Sequence, residues 1–142
     1  VVDEVYAGLE WAGPRPPAIA GLTRFGITTG SVTKALGLQG LRTGWMICQS
    51  PHVIRDAMIL RENASEIMNV LGEHIAEVAL RPDRLAASLT QARAEGAETL
   101  DLLEAFVADE PRLSWHRPQA GLIGLARVKG TDGESLARAR AA

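Results

Sequence analysis

Cysteine, histidine and long apolar runs are all scarce in this chain of 142 residues. The one cysteine, Cys48, excludes an internal disulfide framework and fits a reducing cytoplasm. His52, His74 and His116 are too scattered to propose a metal site. The longest apolar run, Ala120 to Ala126, falls far short of the ~20 residues that a membrane-spanning helix needs. No basic-plus-apolar signal segment opens the chain. An excess of one charge is missing too: 15 Lys and Arg stand against 17 Asp and Glu, for a net charge of -2. So small a charge gives no reason to propose nucleic acid or an anionic membrane as partner. There is no initiator methionine, the first residues read as the end of a buried strand, and the last ones stop in an uncapped helical pattern. The chain is therefore expected to be a piece of a larger protein.

What is present reads as an ordinary globular composition. The apolar fraction of 46% and charged fraction of 23% are typical of soluble domains, and the length suffices for one real core. Val1 to Tyr6 is apolar until Asp3 and then polar, which predicts a parallel strand with function at its C-terminal end. Trp11 to Ala20, with Gly13, Pro14, Pro16 and Pro17, predicts a loop. Thr23 to Thr29 predicts a short strand ended by Gly30, and Arg42 to Cys48 another. Ser50-Pro51 predicts a helix start with serine as N-cap, and the helix is expected to run to about Glu62. Asn63 with Glu66 has the pattern of a capping box. Ile67, Val70, Leu71, Ile75, Val78 and Ala79 then recur at helical spacing. Arg81-Pro82-Asp83 interrupts, and a long third helix follows with Leu85, Leu89, Ala92, Leu100, Leu103, Phe106 and Val107 on its apolar side. Gly96 inside that helix costs about 1 kcal/mol against alanine. Leu113 to Trp115 and Gly121 to Val128 predict strands, and Gly133 to Ala142 a last helix.

The segment from Ser31 to Trp45 concentrates the chemistry. Lys34 lies among Val32, Ala35 and Leu36, a setting that predicts burial. A buried lysine loses its proton more easily, and the neutral amine attacks carbonyls. Ser31 and Arg42 suit a phosphate, one through a hydroxyl and the other through a planar fork of donors. A ligand with both an aldehyde and a phosphate would use all three, and pyridoxal phosphate is such a ligand. Gly37, Gly40 and Gly44 serve backbone geometry; the Gly-x-x-x-x-Gly-Lys order of a P-loop is absent.

Ser-x-x-Lys followed by Gly-Leu-x-Gly-Leu-Arg-x-Gly-Trp resembles the lysine signature of class I/II aminotransferases, which are fold type I pyridoxal-phosphate enzymes. Thr43 departs mildly from it, standing where the family usually has an aliphatic residue. Upstream, Asp3-Glu4-Val5-Tyr6 resembles the family's Asp-Glu-x-Tyr strand end. The resemblance runs along nearly the whole chain, while the chain covers a minority of the family's length. It implies an α/β chain holding the end of the large-domain sheet, a long linking helix and the start of a small α/β domain. Residues 1–80 would belong to the large domain and residues 81–142 to the linking helix and small domain.

The resemblance also implies roles. Lys34 carries the cofactor covalently as a Schiff base and then shuttles a proton at the substrate α-carbon. Asp3 partners the pyridine nitrogen and keeps it protonated, which strengthens the ring as an electron sink. Tyr6 donates to the cofactor's phenolic oxygen. Ser31 and Arg42 grip the phosphate, with Thr29 and Thr33 as possible additional donors. Glu4, facing the other side of the strand, reads as a structural or exposed acid. No residue is assigned to a metal. The implied activity moves an amino group from an amino acid to a 2-oxo acid, in a cytoplasmic homodimer with its sites at the subunit interface. The family's ring-stacking aromatic and glycine-rich phosphate loop would lie upstream of Val1, and its substrate-carboxylate arginine beyond Ala142. Little or no activity is therefore expected of the isolated chain. Two other readings stay open: a lyase, decarboxylase or synthase on the same fold, and a non-catalytic, ligand-sensing aminotransferase-like domain.

Overall fold

The computed structural model describes residues 1–65 and 68–141. A three-stranded sheet is built from β1 (Val2–Asp3), β2 (Thr28–Ser31) and β3 (Gly44–Ile47), in that order. β1 runs parallel to β2, pairing Val2 with Thr28 and Asp3 with Thr29. β3 runs antiparallel, pairing Thr28 with Ile47 and Ser31 with Gly44. All three strands are shorter than the sequence predicts. Beyond Asp3 the backbone turns, with Ala7 N–H donating to Glu4 O at 2.9 Å and Leu9 N–H to Tyr6 O at 3.0 Å. The residues from Thr23 to Ile27 stay outside the sheet, and a short helix, α1 (Ile19–Leu22), interrupts the predicted loop.

Gly30 continues β2 rather than ending it, for a steric reason. It pairs with Trp45, and a Cβ added to it would lie 2.6 Å from the Trp45 ring. The indole lies directly over the glycine backbone, so the strand passes beneath it only without a side chain.

Helix α2 (Pro51–Ala64) starts where Ser50-Pro51 predicts and runs two residues past Glu62. Ser50 occupies the N-cap position, but its hydroxyl makes no cap bond; it is buried, and among the described residues it has no hydrogen-bond partner. Asn63 lies inside α2 and donates from its amide to Ile59 O at 2.8 Å. Its expected partner Glu66, and the helical position Ile67, lie outside the described residues. The next helix, α3 (Val70–Ala79), is capped by Asn69, whose Oδ1 accepts from Gly72 N–H at 3.0 Å.

Helix α4 (Pro82–Asp109) opens with proline in its first turn, the position where the missing N–H costs nothing. Leu85, Leu89, Ala92, Gly96, Leu100, Glu104 and Val107 form its half-buried or buried stripe, at helical spacing, while Leu103 and Phe106 are exposed. Gly96 has a packing reason: the Trp11 indole lies against it, and an added Cβ would collide with the ring. Arg93 strengthens the same contact by donating from Nε to Gly8 O at 2.7 Å.

β4 (Leu113–Trp115) and β5 (Ala126–Val128) form an antiparallel pair, and α5 (Gly133–Ala141) follows. Between β4 and β5 the chain returns to the N-terminal part. Trp11 N–H donates to Gln119 O at 2.8 Å, Gly121 N–H to Leu9 O at 2.9 Å, and Trp11 Nε1 to Gly121 O at 2.8 Å. Gly121 makes this return with φ +82, a left-handed conformation that glycine adopts without penalty. Leu9 and Val32, at 1% and 0% exposure, mark the core where these segments meet. Among the described residues no helix is long and apolar enough to cross a membrane.

Candidate functional site

Strand direction decides where the candidate residues gather. β1 and β2 both end, and β3 begins, at one end of the sheet. Asp3 closes β1 and Ser31 closes β2, while Arg42 directly precedes β3. Lys34 sits in the loop joining them. Ligands in open α/β sheets commonly bind outside such strand ends.

Asp3 is exposed and braced from one side. Its Oδ1 accepts from Val5 N–H at 3.2 Å and from Thr29 Oγ1 at 3.4 Å, and among the described residues Oδ2 has no partner. A carboxylate fixed through one oxygen leaves the other to accept from a cationic donor. Glu4 borders the same cavity as Asp3 and Tyr6, but its oxygens are engaged in structural bonds. Its Oε1 accepts from Thr28 Oγ1 at 2.9 Å and Ile19 N–H at 3.1 Å, and its other oxygen lies 3.6 Å from Arg15.

Ser31 Oγ lies 2.6 Å from Thr33 Oγ1 and accepts from Thr33 N–H at 3.3 Å. The pair presents two hydroxyls in one turn. Thr33 thus joins Ser31, whereas Thr29 turns to Asp3. Arg42 is exposed, with φ 52 and ψ 35, directly after a single 3-10 turn at Gln39–Leu41. A left-handed arginine is uncommon, and such conformations concentrate at turns and functional loops. Among the described residues neither Arg42 nor Lys34 has a carboxylate within 4.0 Å.

The expected burial of Lys34 does not occur. Its side chain is exposed, while Val32 two residues earlier is fully buried. The loop folds back through Leu38 N–H to Val32 O at 3.1 Å and Gly37 N–H to Lys34 O at 3.3 Å. That tight return commits Val32 to the core and turns Lys34 out.

Two cavities divide the candidates. Lys34 lines one of about 520 Å³ together with α4 and the segment after β4. Asp3 and Tyr6 line a second of about 360 Å³. Ser31 and Arg42 line neither. Tyr6 is half-buried, and its ring packs on Gly121, whose added Cβ would lie 3.3 Å from Tyr6 Cγ. This contact is absent from the sequence reading; the signal for it is a glycine placed in an otherwise apolar run. Among the described residues no three His, Cys, Asp or Glu side chains could hold a metal together.

The donor set fits the cofactor that the sequence suggests. Two paired hydroxyls and an exposed guanidinium suit a phosphate, and a carboxylate braced through one oxygen suits a protonated ring nitrogen. The sequence model of aminotransferase class I and II matches residues 1–140. The chain belongs to this family. Its fold is shared with solved structures of aminotransferases and of a lyase. The multiple substrate aminotransferase of Thermococcus profundus superposes with a TM-score of 0.82 at 23% identity, over 98% of this chain and 36% of that one. The alpha-aminoadipate aminotransferase of Thermus thermophilus gives 0.79 at 24% identity, over 96% and 36%. A pyridoxal-phosphate-bound C–S lyase of Staphylococcus hominis gives 0.69 at 18% identity, over 91% and 33%. The chain thus spans about a third of the length of these proteins. No curated protein matches it. The fold is that part of the fold type I pyridoxal-phosphate architecture which carries the lysine signature.

Proposed function

We propose that this chain is the lysine-bearing part of a pyridoxal-phosphate-dependent aminotransferase. The whole protein would transfer an amino group between an amino acid and a 2-oxo acid. One observation carries the reading: in a chain of this family, strand pairing brings the Asp3 carboxylate to the same end of a small sheet as the stretch that holds the Ser31–Thr33 hydroxyl pair, Lys34 and Arg42. Pyridoxal phosphate, when bound, supplies an electron sink for charge that develops at the substrate α-carbon.

The chain's own residues do the rest. Lys34 Nζ would hold the cofactor and would take and return the proton at the substrate α-carbon. Asp3 Oδ2 accepts from the ring nitrogen and keeps its proton in place. The Tyr6 hydroxyl donates to the phenolic oxygen. Ser31 Oγ and the Arg42 guanidinium hold the phosphate, with Thr33 Oγ1 beside them. The exposed Lys34 and the division of the candidates between two cavities fit a site that further parts of the protein complete. By the same resemblance the whole protein works as a cytoplasmic homodimer. Residues 1–80 form part of its large domain, and residues 81–142 form the linking helix and the start of its small domain, with α4 beginning at Pro82.

A lyase is the second reading, favoured by the likeness to the C–S lyase structure. The cofactor contacts are common to both chemistries, so release of pyruvate or sulfide from amino acids distinguishes them.

The test is an absorption spectrum of the chain with pyridoxal phosphate, then borohydride reduction and peptide mapping. The expected result is a visible band, reductive label on Lys34, and loss of both in Lys34→Ala. Label spread over surface lysines with no band refutes the assignment.

A further inference from the structure

We infer that Gly121 is a positioning residue for Tyr6: the segment returning from β4 sets where the tyrosine hydroxyl lies. This rests on the reading of Tyr6 as the partner of the cofactor's phenolic oxygen and goes beyond it by naming what holds that residue. The contact is at the base of the ring. A Cβ built on Gly121 would lie 3.3 Å from Tyr6 Cγ, 3.4 Å from Cδ2 and 3.6 Å from Cβ. The bare glycine backbone therefore faces the part of the side chain about which the ring turns. A small tilt there moves the hydroxyl, at the far end of the ring, by more.

The glycine is itself held on both sides. Its N–H donates to Leu9 O at 2.9 Å, and its carbonyl accepts from Trp11 Nε1 at 2.8 Å. Both partners are tied to the core: Leu9 is 1% exposed, and the Trp11 ring lies against Gly96 of α4. The same segment borders both cavities. Ala120 lines that of Asp3 and Tyr6, and Gly121 to Gly124 line that of Lys34. An alanine at 121 would bring a methyl group against the ring base at φ +82, a conformation that side-chain-bearing residues rarely adopt. The ring then tilts, and the hydroxyl leaves the direction of the phenolic oxygen. A hydroxyl donating to that oxygen favours its deprotonated form, so losing the bond raises the pH at which the bound cofactor titrates.

Tyr6 is the only tyrosine of the chain, so ring-labelled tyrosine gives a single set of NMR signals. In the full chain its ring protons should show cross-relaxation to the Gly121 α-protons. The ring signals should move in Gly121→Ala and stay in Leu125→Ala, a control at a residue 84% exposed. Trp11→Phe keeps a ring against Gly96 and removes the bond to Gly121 O; it should move the same signals by less, and it carries the test if Gly121→Ala does not fold. With pyridoxal phosphate, the pH midpoint of the visible band should rise by about 0.5 or more in Gly121→Ala and in Tyr6→Phe, and the double variant should rise no further than Tyr6→Phe. Missing cross-relaxation, ring signals unmoved in both variants, or a rise in Gly121→Ala that adds in full to that of Tyr6→Phe overturns the inference, while a band from Lys34 leaves the cofactor reading standing. An unsubstituted chain that shows the contact but forms no band overturns the reading of Tyr6, and with it the role given to Gly121.

Discussion

Glu4 offers the sharpest test of how the site is held, because its carboxylate joins three segments without belonging to the proposed chemistry. Its Oε1 accepts from Thr28 Oγ1 at 2.9 Å and from Ile19 N–H at 3.1 Å, so it ties the end of β1 to β2 and to the first turn of α1. Thr28 Oγ1 in turn accepts from Ala20 N–H at 3.2 Å and is buried at 4% exposure. Glu4→Ala deletes both bonds and leaves an N–H and a hydroxyl short of a partner. A hydrogen bond to a charged group contributes about 1.5–3 kcal/mol, and an orphaned buried polar group costs about 1–3 kcal/mol. The bonds share one oxygen and water reaches part of the site, so the sum is less than additive, and a loss of about 2–3 kcal/mol is expected. Glu4→Gln keeps an acceptor oxygen and loses only the charge and the 3.6 Å pair with Arg15, whose side chain is half exposed. Such exposed pairs contribute about 0–1 kcal/mol, so the glutamine variant should stay within ~1 kcal/mol of the parent. Urea unfolding of the three proteins, followed by tryptophan fluorescence and far-UV circular dichroism, measures both differences. A loss below about 0.5 kcal/mol in Glu4→Ala, or equal losses in the two variants, refutes the clamp.

Three further outcomes follow from named contacts. Gly30→Ala places a Cβ 2.6 Å from the Trp45 ring and should cost about 1–3 kcal/mol in the same unfolding assay, with a shift in tryptophan emission as the indole moves. Ser50→Ala should be neutral or stabilising, against the usual ~1 kcal/mol loss at an N-cap, because the buried hydroxyl has no partner to lose; a clear destabilisation would show a cap bond that the structure lacks. The Glu110 carboxyl is held down at about 2, well below the ordinary glutamate range, first by the side-chain hydrogen bond from Arg112 and then by the Arg112 backbone N–H. A lowered carboxyl stabilises the folded state above its unfolded pKa and loses that contribution as pH falls from about 4.5 towards 2. Carboxyl-carbon NMR should therefore find the Glu110 midpoint near 2, and Arg112→Ala should raise it towards the ordinary glutamate range; an ordinary midpoint in the unsubstituted chain contradicts the pairing.

The sequence itself determined the order of the main elements and the family to which the chain belongs. Both are local matters. Helix starts at Pro51 and Pro82 follow from proline's fixed φ and missing donor, and the helical spacing from Leu85 to Val107 follows from the 3.6-residue turn. The run from Ser31 to Trp45 resembles a family signature because spacing alone identifies it, and that resemblance agrees with the match over residues 1–140.

Tertiary structure decided what depends on partners far away in the chain. Gly30 looks like a strand breaker until Trp45 is laid across it, and Gly96 looks like a helix defect until Trp11 fills the space. Asn63 has the local pattern of a cap, yet Asn69 is the residue whose side chain meets the free N–H groups of a helix start. Lys34 has apolar neighbours in sequence and is exposed in space, because neighbours one or two positions away do not share its direction once the loop folds back on Val32. The parallel pairing of β1 with β2, which brings Asp3 to the strand end that precedes Ser31 although the two lie far apart in the chain, is likewise a tertiary matter that local spacing does not encode.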